Sequence, residues 1–240
     1  MIHLHLIGIG TGNPDHLTRA AIRTINAVDL ILLPRKGDAK SDLLDLRHSI
    51  CGAALASPVR MAEFDMPVRR QDGDYTQAVD DWHDAIAAIW AELVWGDPSL
   101  YDSTLRIADR LRTAGVDLTV RVEPGITSIQ ALTAAHAIPL NALAEPVTIT
   151  TGRRLRREGW PLGVHTIVVM LDSGCAFEVL DPAGITIWWG AYLGMSQEAL
   201  VHGPLADSAP QIAARRAELR ARHGWIMDVY LMRKERADAC

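Results

Sequence analysis

Short apolar segments that alternate with stretches of helical periodicity constrain the fold of this chain most strongly. Residues 2–7, 30–33 and 118–122 are rich in Ile, Leu and Val, which favours β-strands. Segments whose apolar positions recur at helical spacing lie between them, at about residues 18–27 and 103–114. Alternating strands and helices are typical of a parallel sheet covered by helices. We therefore predict an α/β fold whose N-terminal part is a parallel sheet with helices on both faces.

The pattern changes after Pro139, where the candidate strands lie closer together along the chain. Four strands are predicted there, at about residues 147–150, 165–171, 185–189 and 225–232. One long helix is predicted at about residues 210–222, with apolar side chains on one face and many arginines on the other. We expect a second lobe with a mixed sheet, and we place the two lobes at residues 1–140 and 141–240.

Three glycine-containing loops each follow a predicted strand. They are Gly8–Thr18, Val94–Thr104 and Glu123–Ser128. Loops that leave the carboxyl ends of parallel strands meet at one edge of the sheet, where such folds bind ligands. In the second loop, Gly96 permits the close approach of another backbone, and Asp102 or Ser103 is expected to cap the next helix. We therefore predict that the three loops contribute to one binding cleft.

The connection into the second loop is unusually short. A helix is predicted at about residues 75–92, so that only Leu93–Trp95 remain for the strand before the loop. Strands in globular proteins have a mean length of about five to six residues. This junction is too short for an ordinary strand.

Composition and charge exclude several classes of protein. The chain has 240 residues, of which 49% are hydrophobic, and a net charge of −5, so no overall basic field attracts nucleic acid. Its three cysteines form no Cys-x-x-Cys pair, which argues against a structural zinc site and a disulfide framework. The apolar runs are shorter than the roughly 18 residues of a membrane span, and Ile2–Ile7 lacks the features of a secretory signal. We expect a cytoplasmic protein with no nucleic-acid or membrane partner.

The usual signatures of dinucleotide, metal and serine-hydrolase sites are missing or broken. A dinucleotide fingerprint needs a third glycine where Asn13 stands, and Pro34–Arg35 occupies the place of the acidic ribose anchor. The sequence contains no P-loop motif, and its nine histidines show no metal-ligand spacing. Ser128 lacks the second glycine of a nucleophile elbow, because Gln130 stands there. We therefore predict no NAD site, no metal centre and no serine hydrolase.

Two clusters of basic residues and one pair of large rings each allow two interpretations. The basic clusters are Arg153, Arg154, Arg156 and Arg157, and Arg35, Lys36 and Lys40. Each cluster is either a solvated loop or a site for a ligand with several carboxylates, because guanidinium groups hold carboxylates through paired hydrogen bonds. Trp188 and Trp189 are either core residues or a wall beside a flat apolar ligand. The sequence leaves these alternatives open.

Together the three loops resemble the motifs of the tetrapyrrole methylase family, the class III S-adenosylmethionine-dependent methyltransferases of the cobalamin and sirohaem pathways. The motifs that carry this resemblance are Gly8–Thr18, Gly96–Pro98 with Tyr101 and Ser103, and Pro124–Ser128. The resemblance covers nearly the whole chain. It implies two α/β lobes with a cofactor cleft between them, and commonly a homodimer.

The resemblance also implies which residues contact the cofactor and the substrate. The candidates for S-adenosylmethionine are Gly96, Asp97, Pro98, Tyr101, Thr127, Ser128, Leu171, Ala191 and Tyr192. In the family, the first glycine loop faces the macrocycle. The candidates for the tetrapyrrole substrate, which include residues of the basic clusters, are Gly10, Gly12, Pro14, Arg35, Lys36, Arg153 and Arg154. No metal is implied.

Within the family, the resemblance is strongest to the members that deacetylate a corrin precursor. It implies methylation of precorrin-5 at C-1 with release of acetate, and that release needs an activated water. Asp15, Asp102 and Glu145 are the candidate general bases near the loops, and the sequence does not choose among them. The alternatives are a sister methylase acting at another ring carbon and a module that binds a tetrapyrrole or nucleoside without catalysis.

Overall fold

The structure, a computed structural model, describes residues 1–35, 41–65 and 93–235. The chain divides into two compact units, Met1–Thr127 and Ser128–Cys240. The division falls before the predicted lobe boundary, because the helix that begins at Ser128 packs against strands of the second unit. The boundary after residue 140 stays a prediction.

In the described part of the first unit, the strands form two parallel sheets. The strands are β1 Ile2–Gly8, β2 Leu30–Arg35, β3 Arg60–Asp65, β4 Leu93–Val94 and β5 Leu118–Glu123. One sheet places β1 between β4 and β5, and the other pairs β2 with β3. The helices are α1 Arg19–Ile25, α2 Ser41–Ala54 and α3 Thr104–Thr113. The parallel pairing confirms the predicted fold class.

Helices cover both faces of β1. Leu6 packs with Ala108 of α3, whereas Ile7 packs with Ile25 of α1 and Ile50 of α2. Successive side chains of a strand point to opposite faces, so these two neighbours enter different cores. The carboxyl end of β1, from which the first glycine loop leaves, is thereby fixed from both sides.

The second unit contains a five-stranded mixed sheet, as predicted. Its strands are β6 Val147–Thr151, β7 Thr166–Met170, β8 Ile185–Ala191, β9 Ala199–Pro204 and β10 Asp228–Lys234. In the order β6-β7-β10-β8-β9, only β6 and β7 run parallel. Its helices are α4 Ser128–Ala135, α5 Gly152–Glu158 and α6 Leu205–His223. Within the described ranges, no helix of either unit is long and apolar enough to cross a membrane.

Three elements of the second unit differ from the sequence prediction. The basic segment after β6, for which a loop was one interpretation, is helix α5, capped by a hydrogen bond from Arg154 N to Thr151 Oγ1 at 3.3 Å. Helix α6 begins at Leu205 and continues through Pro210, which removes one backbone donor from it. The sequence does not predict β9, because the strand ends in Gly203–Pro204, residue types depleted in strands.

A strand forms before the second glycine loop despite the short junction. It is β4, whose two residues Leu93 and Val94 pair with Ile7 and Gly8 of β1. The helix predicted at about residues 75–92 lies outside the described residues.

Candidate functional site

Three loops of the first unit meet at the carboxyl ends of its parallel strands, as predicted. The main chains approach so closely that a Cβ on Gly125 would lie 2.0 Å from Gly96 O, and one on Gly8 would lie 2.6 Å from Gly125 N. Gly96 also pairs with Gly10, and its N–H donates to Gly10 O at 2.8 Å. Only glycine permits such approaches. The spacing of glycines in the three motifs is therefore a packing requirement of this edge.

Asp97 ties the second loop to the third. Its Oδ1 accepts hydrogen bonds from the Ser99 N–H at 2.8 Å and the Ser99 hydroxyl at 2.5 Å, and its Oδ2 accepts from the Gly125 N–H at 2.9 Å. Burial raises the pKa of Asp97, but the hydrogen bonds from Ser99 and Gly125 outweigh burial and hold the pKa below its ordinary value. The carboxylate stays ionised at neutral pH and holds the two loops together.

The second loop leads directly into α3. Asp102 Oδ1 accepts from the Thr104 N–H at 2.7 Å and from the Thr104 hydroxyl, whereas Ser103 makes no capping bond through its side chain. Of the two predicted caps, Asp102 is therefore the one observed. Pro98 of the same loop is buried and Tyr101 is exposed.

The first glycine loop positions a histidine that the sequence prediction does not single out. Gly10 and Gly12 have φ of 75° and 117°, and Pro14 begins a 3-10 turn, Pro14–His16. His16 Nδ1 lies 2.9 Å from Thr11 Oγ1. The sequence feature that could have identified His16 is its position inside a glycine-rich loop.

The three candidate bases lie in different surroundings. Asp15 is exposed on the 3-10 turn of the first loop. Asp102 is half-buried, and one of its carboxylate oxygens caps α3. Glu145 belongs to the second unit, where it is half-buried in the segment before β6. The assignment among the three stays a prediction.

The predicted cofactor residues of the second unit lie at one edge of its sheet. Leu171 follows the end of β7, and Ala191 ends β8, where it pairs with Asp228 at the start of β10. Ala191 is fully buried, and the buried Tyr192 donates from its N–H to Met227 O at 3.0 Å. Ser128 begins α4 and Thr127, in the first unit, is buried.

Three of the predicted cofactor residues have a left-handed backbone. Tyr101, Leu171 and Tyr192 have φ of 51°, 52° and 51°, and they are three of the six non-glycine residues with positive φ in the described ranges. Each such conformation costs on the order of 1–3 kcal/mol and persists where neighbouring structure enforces it. Strained backbone of this kind concentrates at functional sites, which supports these positions as ligand contacts.

Asp172, next to Leu171, is a buried carboxylate with several donors. Its Oδ2 accepts from the Ala176 N–H at 2.6 Å and the Tyr230 hydroxyl at 2.8 Å, and its Oδ1 accepts from Arg156 Nη2 at 2.6 Å. Burial raises the pKa of Asp172, but these hydrogen bonds and the charge of Arg156 bring it below its ordinary value. An ionised carboxylate therefore anchors the turn that contains Leu171.

Arg216 of α6 connects this turn to β10. Its Nη2 donates to Asp172 O at 2.8 Å, and its Nε donates to Asp228 Oδ2 at 2.9 Å. Asp228 Oδ2 also accepts from Trp189 Nε1 at 3.0 Å. Burial raises the pKa of Asp228, and the hydrogen bonds from Arg216 and Trp189 offset only part of that rise. Trp189 is fully buried, so it is a core residue, not a ligand wall.

The basic cluster on α5 is partly neutralised within the protein. Arg154 Nε and Arg157 Nη2 each lie 2.5 Å from a carboxylate oxygen of Glu158, and Arg156 binds Asp172. A substrate role of Arg153 and Arg154 stays a prediction. For Arg35, only the backbone at the end of β2 is described, and Lys36 and Lys40 lie outside the described residues.

The charged groups around Asp172 carry no local sequence signal. Arg216 and Tyr230, which bind it, lie 44 and 58 positions further along the chain.

In the part of the chain that the structure describes, no group of three or more His, Cys, Asp or Glu side chains is arranged to hold a metal ion.

Comparisons with known proteins agree with the geometry. The family model described as Tetrapyrrole (Corrin/Porphyrin) Methylases matches residues 3–209. A precorrin-6A synthase (deacetylating) of Sinorhizobium sp is 46% identical over 246 residues, covering 95% of this chain and 94% of that protein.

Solved structures show the same fold. A cobalamin synthesis-related protein of Corynebacterium diphtheriae superposes with a TM-score of 0.81 at 36% identity, covering 98% of this chain and 99% of that one. A uroporphyrin-III C-methyltransferase of Thermus thermophilus, solved with S-adenosylhomocysteine, has a TM-score of 0.56 at 19% identity and covers 96% of each chain. The second likeness concerns the fold alone. From its motifs, its fold and these comparisons, the chain belongs to the tetrapyrrole methylase family, whose members are S-adenosylmethionine-dependent methyltransferases.

Proposed function

We propose that this chain is a precorrin-6A synthase (deacetylating). It methylates precorrin-5 at C-1, with S-adenosylmethionine as the methyl donor, and releases acetate to give precorrin-6A. The near full-length similarity to a deacetylating synthase carries this proposal. The meeting of three glycine loops at the carboxyl edge of β1, β4 and β5 supports it, because such edges bind ligands.

Aromatic rings surround Tyr192, one of the proposed cofactor contacts. The rings of Trp225 and His223 pack edge-on against Tyr192, with centroids 4.9 and 5.3 Å away. Trp225 Nε1 and His223 Nε2 are buried, and neither has a hydrogen-bond partner within the described residues. These rings therefore fix the side chain of Tyr192 next to the end of β8.

The proposed contacts fall into one set in each unit. In the first unit they are Gly96, Asp97, Pro98, Tyr101 and Thr127, and in the second they are Ser128, Leu171, Ala191 and Tyr192. S-adenosylmethionine supplies a methyl group that its sulfonium has already activated. The task of the protein is to hold the nucleophilic ring carbon in line with that methyl and to exclude water from the line.

For the macrocycle we propose Gly10, Gly12 and Pro14 of the first loop together with the basic residues Arg35, Lys36, Arg153 and Arg154. Arg154 and Glu158 form an exposed ion pair, with 68% and 42% of their side chains accessible. Exposed ion pairs contribute little to stability, because water and salt screen the two charges. A carboxylate of the substrate therefore displaces Glu158 at little cost.

We further propose that the protein is a homodimer in the cytoplasm. Homodimers are common in the family that the motifs resemble. Cys51 and Cys175 form no disulfide within the described ranges, which suits a reducing compartment.

Mass spectrometry of precorrin-5 incubated with the protein and methyl-labelled S-adenosylmethionine tests the proposed function. The expected product carries one added labelled methyl group and lacks one acetyl group. Label without loss of the acetyl group identifies a sister methylase that acts at another ring carbon. Binding of the macrocycle without either change identifies a non-catalytic binding module.

A further inference from the structure

His16 is held in one orientation at the edge where the glycine loops meet. Its Nδ1 lies 2.9 Å from Thr11 Oγ1. Its Cβ packs against Gly10, where an added Cβ would come within 2.6 Å of it, and Gly10 is in turn paired with Gly96. The ring is half-buried, and its Nε2 has no hydrogen-bond partner among the residues that the structure describes. One ring nitrogen is therefore anchored while the other is available.

The carboxylates near this edge are less suitable as a base. Asp97 accepts three hydrogen bonds that hold two loops together. Glu123 is buried, where it accepts from the Thr24 hydroxyl at 2.9 Å and pairs with Arg121 at 2.9 Å. Asp15 is exposed, and its carboxylate has no orienting partner within the described residues.

Asp102 is the strongest rival to His16 in the first unit. It is half-buried, and Thr104 holds its Oδ1. That contact serves the N-terminus of α3, however, and a loss of the Asp102 side chain would first of all remove a helix cap. The His16 ring caps no helix within the described residues, and its Nδ1 contacts the Thr11 hydroxyl.

We propose that His16 is the general base of the acetate-releasing step, an inference that rests on the proposed function. Nε2 accepts a proton from water as the water oxygen attacks the acetyl carbonyl carbon. The bond between that carbon and the macrocycle breaks, acetate leaves, and the electron pair stays on the ring carbon, delocalised over the conjugated system. Methyl transfer needs such a nucleophilic carbon. The arrangement then consists of the attacking water, the base His16 and Thr11, whose hydroxyl orients the base.

The variant His16→Asn tests this role. The Asn amide keeps a hydrogen bond to Thr11 but places nothing at the position of Nε2. His3→Asn is the matched control, because His3 Nδ1 also lies 2.8 Å from a threonine hydroxyl, that of Thr119, at the opposite end of β1. Acetate release from precorrin-5 is measured in ¹⁸O-labelled water with methyl-labelled S-adenosylmethionine, alongside calorimetric binding of S-adenosylhomocysteine.

His16→Asn should slow acetate release by about a hundredfold or more, the size of effect typical of a lost general base. It should leave S-adenosylhomocysteine binding unchanged, and His3→Asn should change neither quantity. In the wild type, one ¹⁸O atom should enter the acetate, since water supplies its new oxygen. Thr11→Val, which removes only the orienting bond, should slow the same step by a smaller factor.

Two results would overturn the assignment. One is acetate release at the wild-type rate by His16→Asn, and the other is a comparable loss in Asp15→Asn or Asp102→Asn with His16→Asn active. Failure of the proposed function has a different signature, because the wild-type protein itself would then transfer label without releasing acetate.

Discussion

Replacement of Arg216 by methionine should destabilise the protein far more than replacement of its neighbour on α6. Arg216 Nε lies 2.9 Å from Asp228 Oδ2, and only 9% and 5% of the two side chains are exposed. Methionine fills a similar volume but leaves Asp228 with Trp189 as its remaining side-chain donor among the residues that the structure describes. Water has little access to replace the lost guanidinium. An uncompensated buried charge therefore results.

The expected loss follows from the burial of the pair. Removal of one partner from a buried ion pair costs about 3–5 kcal/mol. For a chain of this size, each kcal/mol shifts the melting temperature by roughly 2–4 °C, so Arg216→Met should lower it by roughly 6–20 °C. The loss should also depend on pH. Burial already raises the pKa of Asp228, and removal of Arg216 raises it further.

The sign of this pH dependence follows from proton binding. An acid whose pKa is higher in the folded than in the unfolded chain gives up stability as the pH rises through the folded pKa. The variant should therefore lose less stability at about pH 5, where Asp228 takes up a proton more readily, than at about pH 8. Thermal melts followed by circular dichroism at both pH values measure the difference.

Arg215→Met is the matched control. Arg215 pairs with Glu218 at 2.7 Å, but 43% and 57% of these side chains are exposed, and such pairs contribute about 0–1 kcal/mol. The double variant Arg216→Met/Asp228→Asn should recover part of the lost stability, since it removes the unpaired charge. The reasoning fails if Arg216→Met melts no lower than Arg215→Met.

Three further substitutions test the glycine loops and the helices of the first unit. Gly125→Ala should abolish binding of S-adenosylhomocysteine in calorimetry, because its Cβ would lie 2.0 Å from Gly96 O; retained binding would contradict the packing argument. Gly52→Ala should raise the melting temperature by roughly 2–4 °C, since Gly52 is an exposed position of α2, its Cβ would meet nothing within 4 Å, and alanine favours helix by about 0.8–1 kcal/mol. Asp97→Asn should flatten the fall in stability towards acid pH in denaturant titrations. The lowered pKa of Asp97 means that its contribution is present above the unfolded pKa and lost as the pH falls through the folded one.

The loops of the first unit were predictable because their signals are local. Gly8, Gly96 and Gly125 each stand directly after a strand or turn signal, and the parallel pairing of the strands then brings them to one edge. To predict that their main chains meet, no side-chain contacts need to be known. The sequence also limited the cap of α3 to Asp102 or Ser103, because a capping residue lies next to the helix that it caps.

The second unit was less predictable because its determinants are distant in sequence. Nothing near Asp172 indicates that it is buried, since the group that holds its carbonyl is Arg216, 44 positions away. Helix α5 carries so many arginines that its apolar periodicity disappears, and its capping by Thr151 is the remaining helical signal. The sequence of this segment therefore does not distinguish a solvated basic loop from a helix that packs in the fold.

The conformation of Leu171 links these buried charges to the proposed function. Leu171 is 65% exposed and has a φ of 52°, a conformation that costs on the order of 1–3 kcal/mol for a residue of this kind. The next residue is fixed, however, because the Asp172 carboxylate accepts from Tyr230 and Arg156 and its carbonyl accepts from Arg216. The buried network therefore fixes the residue that follows an exposed and strained leucine, which supports Leu171 as a ligand contact.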